Sequence, residues 1–154
     1  FLYPSASPKT FEAAGQLVQY NFDRNEVFDG MYEMERKLLN LQGYIYQHFE
    51  MDEDGAASIK LPKAILQQYD ATPSETSLLV SSLGNVKNIR AWVMFIEDND
   101  AIRVRLRSKG PVINGLAKKY NGGGHPLASG ATAYSWEEAD RVIEDLKVIC
   151  SEDK

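Results

Sequence analysis

The clearest hydrophobic pattern in the sequence is a pair of strands in its second half. Six consecutive apolar residues, 91–96, predict a strand that is buried on both faces. After the polar turn 98–100, apolar residues alternate with arginines over 102–107. Because successive side chains of a strand point to opposite faces, this second strand should have one apolar face and one arginine face.

Apolar positions at helical spacing predict helices at both ends of the chain. Ser7 followed by Pro8 is a typical helix start, and a second helix should run from a cap at Asn25 to Leu41. The last helix should begin after Ser135, with Glu138 completing a capping box.

Shorter patterns fill the middle of the chain. Tyr44–Phe49 and 57–61 flank the turn signal Asp54-Gly55 and predict a hairpin. Further elements are predicted as helices over 62–69, 72–82 and 111–120, and as a strand over 129–134. Helices that lead into mixed strands and helices indicate an α+β fold, a small mixed β-sheet covered by helices with an N-terminal helical linker.

Composition narrows the function classes. The net charge of −5 argues against non-specific affinity for duplex DNA, and no apolar run approaches the ~18 residues of a membrane span. The single cysteine, Cys150, cannot form an internal disulfide, which favours a reducing, cytoplasmic setting. We expect Cys150 to pack on the last helix as a small apolar residue.

The candidate chemistry lies in the glycine-rich loop 121–125. Three consecutive glycines, 122–124, are entropically costly and suit a place where a ligand approaches the backbone closely. Their N–H groups can surround an anion, while Asn121 and His125 can contact it from either side. The loop fits neither a P-loop nor a dinucleotide-binding fingerprint, so taken alone it is better interpreted as a flexible helix terminator.

The arginine strand changes that interpretation. Arg107, Ser108 and Lys109 end the strand just before the helix that leads to the loop, so Arg107 and Lys109 could meet the same phosphate. We interpret Arg103 and Arg105 as the solvated face of an outer strand. Tyr120 could stack on a base but is expected in the core.

The segment Asn121–Ala131, preceded by Arg107–Lys109, resembles the signature of the DHH-associated domain, the C-terminal part of DHH phosphoesterases. The similarity is greatest to the branch of bifunctional oligoribonucleases and phosphoadenosine-phosphate phosphatases. It covers the chain from about Thr10 onward, and Phe1–Pro8 resembles the tail of the preceding catalytic domain. The resemblance implies a tail and linker helix over 1–24 and a substrate-binding domain over 25–154. The implied substrate-binding residues are Arg107, Ser108, Lys109, Asn121, Gly122, Gly123, Gly124, His125 and Ser129.

In that family the catalytic groups belong to the other domain, where aspartates and histidines hold two manganese ions. This chain has only two histidines, neither within an aspartate cluster, so the resemblance implies no metal site and no catalytic residue here. Its implied partners are short single-stranded RNA or nucleotide phosphates and the upstream catalytic domain of the same polypeptide. A membrane partner is not expected, and a homodimer is left open.

Two alternatives of a different class stay open. One is a stand-alone module that binds RNA or a cyclic dinucleotide without catalysis. The other is an interaction domain whose helices over 8–43 dock a partner protein.

Overall fold

A computed structural model describes residues 6–153, so most of the expected tail Phe1–Pro8 lies outside the described residues. The chain divides into two compact units between Met34 and Glu35. The domain division expected after residue 24 stays a prediction.

The first unit contains two helices, α1 (Pro8–Leu17) and α2 (Arg24–Tyr32). Ser7 caps α1 as expected. The predicted cap of α2 is wrong, because Asp23 fills that position and its carboxylate accepts hydrogen bonds from the N–H groups of Asn25 (2.8 Å) and Glu26 (3.3 Å). A continuous helix to Leu41 is also wrong, because Glu33 and Glu35 adopt extended backbone angles.

The second unit opens with α3 (Arg36–His48), which replaces the strand predicted over Tyr44–Phe49. Leu38, Leu41 and Ile45 are buried at helical spacing, and the rings of Tyr44 and His48 stack one helical turn apart with centroids 4.1 Å from each other. This helical packing outweighs the strand propensity of the aromatic and β-branched residues.

Six strands form one mixed sheet in the order β1-β2-β3-β4-β6-β5, which confirms the predicted α+β class. Strands β2 and β3 are parallel, and every other neighbouring pair is antiparallel. The strands are β1 (Glu50–Met51), β2 (Ala56–Leu61), β3 (Ala91–Glu97), β4 (Ile102–Ser108), β5 (Gly123–His125) and β6 (Ala128–Ala133).

The remaining helices are α4 (Lys63–Gln68), α5 (Asn114–Lys119) and α6 (Trp136–Glu152). The α-helix predicted from Thr72 is instead two 3₁₀ helices, Glu75–Leu79 and Ser82–Asn85. Between them, the carbonyl of Val80 accepts a 2.7 Å hydrogen bond from the Trp92 indole, so a tertiary contact takes an oxygen that a continuous helix would use.

The core lies on one face of the sheet, under α5 and α6. Apolar residues from β3, β4 and β6 pack there against Leu116, Ala139, Val142 and Leu146. Cys150 is also fully buried in this cluster, as predicted, and burial raises the pKa of its thiol to about 11. On the opposite face, Trp92, Met94 and Ile96 of β3 are buried, whereas the β4-β6-β5 half presents exposed and half-buried side chains.

An ion pair fastens α3 to the first 3₁₀ helix. Lys37 Nζ lies 2.8 Å from Glu75 Oε1, and Glu75 Oε2 accepts hydrogen bonds from the N–H and hydroxyl of Thr72 at 2.7 Å each. The hydrogen bonds from Lys37 and then Thr72 lower the pKa of Glu75 from 4.5 to about 2.

This lowered pKa predicts an acid-dependent contribution to stability. A carboxyl group whose pKa is lower in the folded state stabilises the fold above its unfolded pKa, and that contribution is lost as the pH falls through the folded pKa. We therefore expect Glu75→Gln to lower the melting temperature at pH 7, and the difference from the unmodified chain to shrink between pH 4.5 and about 2. Glu152→Gln, a matched change at an exposed residue of α6, should leave the melting temperature unchanged. If the melting temperature of Glu75→Gln were lower by the same amount at every pH, the Glu75 charge would not be the cause of the stabilisation.

Candidate functional site: an arginine and glycine face of the sheet

The strand register brings the two predicted halves of the site together. His125 pairs with Ala128 across β5 and β6, and Ala128 pairs with Arg107 across β6 and β4. Because directly paired residues share a sheet face, the side chains of His125 and Arg107 stand on the same face with only an alanine between them. His125 is exposed and Arg107 is half-buried.

Arg107 is positioned by an interior strand. Its Cα partners are Trp92 on β3 and Ala128 on β6, and its Nη1 donates a 2.8 Å hydrogen bond to the carbonyl of Leu106. A guanidinium held this way on the sheet can meet an incoming phosphate with a charge-assisted hydrogen bond.

The loop 121–125 is a helix end followed by an edge strand. Asn121 has a positive φ of 56°, typical of the residue that ends a helix, and Gly122 N–H donates to the carbonyl of Ala117 at 2.9 Å. Gly123–His125 then form β5. Fewer N–H groups than expected can therefore surround an anion, because the N–H of Gly122 is already hydrogen-bonded at the end of α5.

The three glycines differ in whether the fold leaves room for a side chain at their positions. A Cβ on Gly122 would lie 2.0 Å from the Gly130 carbonyl oxygen, and one on Gly124 would lie 2.7 Å from that of Ala128, at a φ of 138°. Both glycines are therefore required by the close approach of β5 to β6. A Cβ on Gly123 would meet nothing within 4 Å, so the fold places no steric demand on that position.

Three further predicted residues make structural contacts near the site. Ser129 is 4% exposed, and its hydroxyl donates to the carbonyl of His125 at 2.8 Å, which supports the β5–β6 turn. The Ser108 hydroxyl accepts from the N–H of Gly110 at 3.0 Å. Lys109 Nζ donates to the carbonyls of Gly84 and Val86, each at 3.1 Å. That these three residues also bind a ligand stays a prediction.

The interpretation of Arg103 and Arg105 as the solvated face of an outer strand is only partly correct, because Arg103 is exposed whereas the strand is not an outer one. Strand β4 lies between β3 and β6, so it is an interior strand and not an outer one. Arg103 forms an ion pair with Asp98, and its guanidinium is the largest cause of the lowered pKa of that carboxyl group. Arg105 is half-buried and pairs across the sheet with Gly130. The alternating pattern correctly predicted the face but not these separate environments.

Tyr120 belongs to the core, as expected. It is 5% exposed, and its hydroxyl donates to Asp145 at 2.6 Å, where Lys119 Nζ also lies 2.8 Å away. Burial and then the Asp145 carboxylate raise the pKa of Tyr120 to about 12. The ring is therefore a packed, neutral side chain and does not form part of the open face.

A groove lined by Tyr44, His48, Ser58 and Lys60 lies on the other side of the sheet. Lys60 Nζ is 2.5 Å from Asp140 Oδ1, so the two side chains form an ion pair. Lys60 pairs with Phe95, a residue of the core face, and thus lies opposite the face that carries Arg107.

The family resemblance implies two manganese ions in a domain other than this one. Within residues 6–153, no three histidine, cysteine, aspartate or glutamate residues come together as ion ligands. No helix in the same range has the length and apolar content needed to cross a bilayer.

Comparison with known proteins gives the resemblance a firm basis. Residues 57–152 match the DHHA1 domain family. The chain is 54% identical over 152 residues to the bifunctional oligoribonuclease and PAP phosphatase NrnA of Bacillus subtilis, covering 99% of the chain and 49% of that protein. It is 44% identical over 148 residues to a probable enzyme of the same name from Streptococcus mutans, covering 96% and 48%.

A solved structure agrees in fold over nearly the whole chain. The crystal structure of an exopolyphosphatase-related protein from Bacteroides fragilis superposes with a TM-score of 0.85 at 25% identity, covering 98% of this chain and 47% of that one. The chain thus spans about half the length of the relatives that it matches. On the family match and the identity to these relatives, the chain belongs to the DHHA1 domain family.

Proposed function

We propose that this chain is the substrate-binding domain of a phosphoesterase that hydrolyses short oligoribonucleotides and phosphoadenosine phosphate. The observation that carries the proposal is the row His125–Ala128–Arg107, in which a histidine and a guanidinium flank a small residue on one open face. Both side chains can donate hydrogen bonds to phosphate oxygens, and neither position requires a particular base. The names of the curated relatives support the substrate class.

The groups that this chain contains are suited to binding the substrate, and cleavage is assigned to another domain. Arg107 and His125 would hold phosphate and ribose oxygens, while cleavage belongs to an upstream catalytic domain in the same polypeptide that carries the two manganese ions. Contacts directed at the phosphate should give weak sequence preference. We also keep a cytoplasmic location as part of this proposal.

The test is calorimetric titration of the 154-residue chain with phosphoadenosine phosphate, a single-stranded RNA dinucleotide and a duplex RNA of the same composition. We expect binding of the first two, weaker binding of the duplex, and no hydrolysis of any of them in the presence of manganese. Absence of nucleotide binding would overturn the proposal, and turnover by the chain alone would overturn the assignment of catalysis to another domain.

A stand-alone nucleotide-binding module is the second candidate. The same open face would serve it, because that face contains cationic groups and no assembled metal ligands among the described residues. A cyclic dinucleotide in the same titration separates the two functions. Tighter binding of the cyclic than of the linear ligand would favour the module.

A further inference from the structure

The groove lined by α3 and α6 at the β1–β2 edge of the sheet, which we call the α3–α6 groove, includes no residue of the proposed phosphate site. Tyr44 and His48 of α3 line it, as do Asp140 and Ile143 of α6 and residues of β1 and β2. Its volume is about 310 Å³, within the size range of small-molecule sites in proteins.

Ser58 contributes to this groove a hydroxyl that no protein group uses. The residue is only 6% exposed, yet within residues 6–153 nothing forms a hydrogen bond with its hydroxyl. In the same range no enclosed side-chain oxygen lacks a partner, so the Ser58 oxygen must open into the groove that it lines. Because buried polar groups are normally hydrogen-bonded, this hydroxyl is expected to meet a polar atom of an occupant.

Glu50 places a carboxylate beside that hydroxyl. Its partner across β1 and β2 is Ser58, so the two side chains stand next to each other on one face. In the part of the chain that the structure describes, Glu50 forms no ion pair. Lys147 interacts with it electrostatically but donates its hydrogen bond to Glu144, at 2.7 Å. The carboxylate and the hydroxyl are neighbouring acceptors, which suits a positively charged hydrogen-bond donor.

Lys60, the ammonium group of the groove, is already bonded to α6. It is two residues from Ser58 and therefore on the same face of β2. Its Nζ lies 2.5 Å from Asp140 Oδ1 and 5.7 Å from the centre of the Trp136 ring. The groove thus contains two carboxylates and one ammonium, and the charge of Glu50 is the one left unmatched.

The arrangement of these groups suits an organic cation and not a metal ion. His48, Glu50 and Asp140 all line the groove, but no three side chains of metal-ligating type converge anywhere in the range 6–153. The rings of Tyr44 and His48 stack with centroids 4.1 Å apart, and Ile143 adds an apolar surface. Aromatic rings attract cations and also pack against hydrocarbon chains.

We propose that the α3–α6 groove binds a small primary amine in its protonated form. The ammonium donates hydrogen bonds to the Glu50 carboxylate and the Ser58 hydroxyl, and the carbon chain packs against Tyr44 and Ile143. A lysine side chain of a partner protein has the same chemistry, but the volume of the groove favours a free amine as the occupant. The inference goes beyond the proposed function and does not depend on it.

The experiment titrates the ¹⁵N-labelled 154-residue chain with n-butylamine at pH 7 and constant salt, followed by NMR. The amine should shift the amide signals of Tyr44, Glu50 and Ser58 to saturation. The comparison ligand is n-butanol, which has the same carbon chain with a hydroxyl in place of the ammonium. It should bind at least roughly 10-fold more weakly, because a hydrogen bond between charged groups is replaced by a neutral one.

Three variants locate the site. Glu50→Gln should weaken butylamine roughly 10-fold. Glu53→Gln removes the same charge from an exposed residue of the β1–β2 turn that does not line the groove, so the affinity should stay within about twofold. Ser58→Ala should weaken binding about threefold, as expected for one neutral hydrogen bond, without lowering the melting temperature, because no protein group bonds its hydroxyl.

The alternative results are distinct. Equal weakening by Glu50→Gln and Glu53→Gln, or equal binding of butylamine and butanol, would overturn the proposal in favour of non-specific attraction to an acidic surface. Tighter binding of Nα-acetyl-lysine amide than of butylamine would overturn the free amine and point to a lysine of a partner protein. Circular dichroism melting shows that each variant is folded. The result stands whether or not the chain binds nucleotides, since no variant changes the proposed phosphate site.

Discussion

Replacing Gly122 by alanine is expected to destabilise the second unit by about 3 kcal/mol, the upper range for forcing extra volume into a packed site. The new Cβ would lie 2.0 Å from the Gly130 carbonyl oxygen and 2.5 Å from the Ala131 Cα. Both are backbone atoms of β6, so the clash cannot be relieved by a side-chain rotation, and β5 must move away from β6. Denaturation by urea, followed by circular dichroism, measures the change.

Gly123→Ala is the matched control, one residue further along the chain. Its Cβ would meet nothing within 4 Å, so we expect stability within about 0.5 kcal/mol of the unmodified chain, as for other unstrained surface changes. The methyl group would stand on the sheet face that carries His125 and Arg107, where a ligand is expected to approach the backbone, so nucleotide affinity should fall although stability does not. Equal stability of the Gly122 and Gly123 variants would show that β5 does not pack against β6 as described.

Arg107→Ala is expected to weaken binding of phosphoadenosine phosphate by roughly 30-fold, equivalent to about 2 kcal/mol for a hydrogen bond to a charged group. The change removes the guanidinium at the centre of the row formed with Ala128 and His125. Calorimetry on the 154-residue chain gives the dissociation constant. Because Arg107 also bonds the carbonyl of Leu106, the melting temperature of the variant is measured alongside.

Arg107→Lys distinguishes geometry from charge. A lysine keeps the positive charge but cannot make the planar two-point contact of a guanidinium with phosphate. An affinity between those of the unmodified chain and Arg107→Ala is therefore expected. Unchanged affinity in Arg107→Ala, with a normal melting temperature, would remove Arg107 from the site.

The parts of the fold that the sequence predicts well are those governed by local rules. The alternation over 102–107 correctly placed the two faces of β4, and the caps at Ser7 and Ser135 start helices as expected. The wrong predictions lie where contacts between residues far apart in the sequence determine the secondary structure. Tyr44–Phe49 has the composition of a strand, yet α3 continues to His48 because its buried face packs at helical spacing.

The candidate site shows the same division between local and distant information. The motif around 121–125 and the strand end at Arg107 could be identified from residue order alone. The sequence could not show that β4 is an interior strand, because its neighbours β3 and β6 are set by pairing across the sheet. For that reason the interpretation of Arg105 as a solvated side chain misses that it is half-buried and that its guanidinium lies over Gly130. Whether a side chain would fit at Gly122, Gly123 or Gly124 likewise depends on how closely β6 approaches each position.

The position of β5 at the edge of the sheet gives the two sides of the open face different local stability. Arg107 stands on an interior strand with a ladder on each side, whereas His125 stands on three residues held by three register pairs with β6. Local opening costs least where few contacts hold a segment, so β5 can separate from the sheet without unfolding the core. A ligand that bridges Arg107 and His125 would then act as a cross-link between these strands, and part of its binding energy would appear as slower amide exchange in β5.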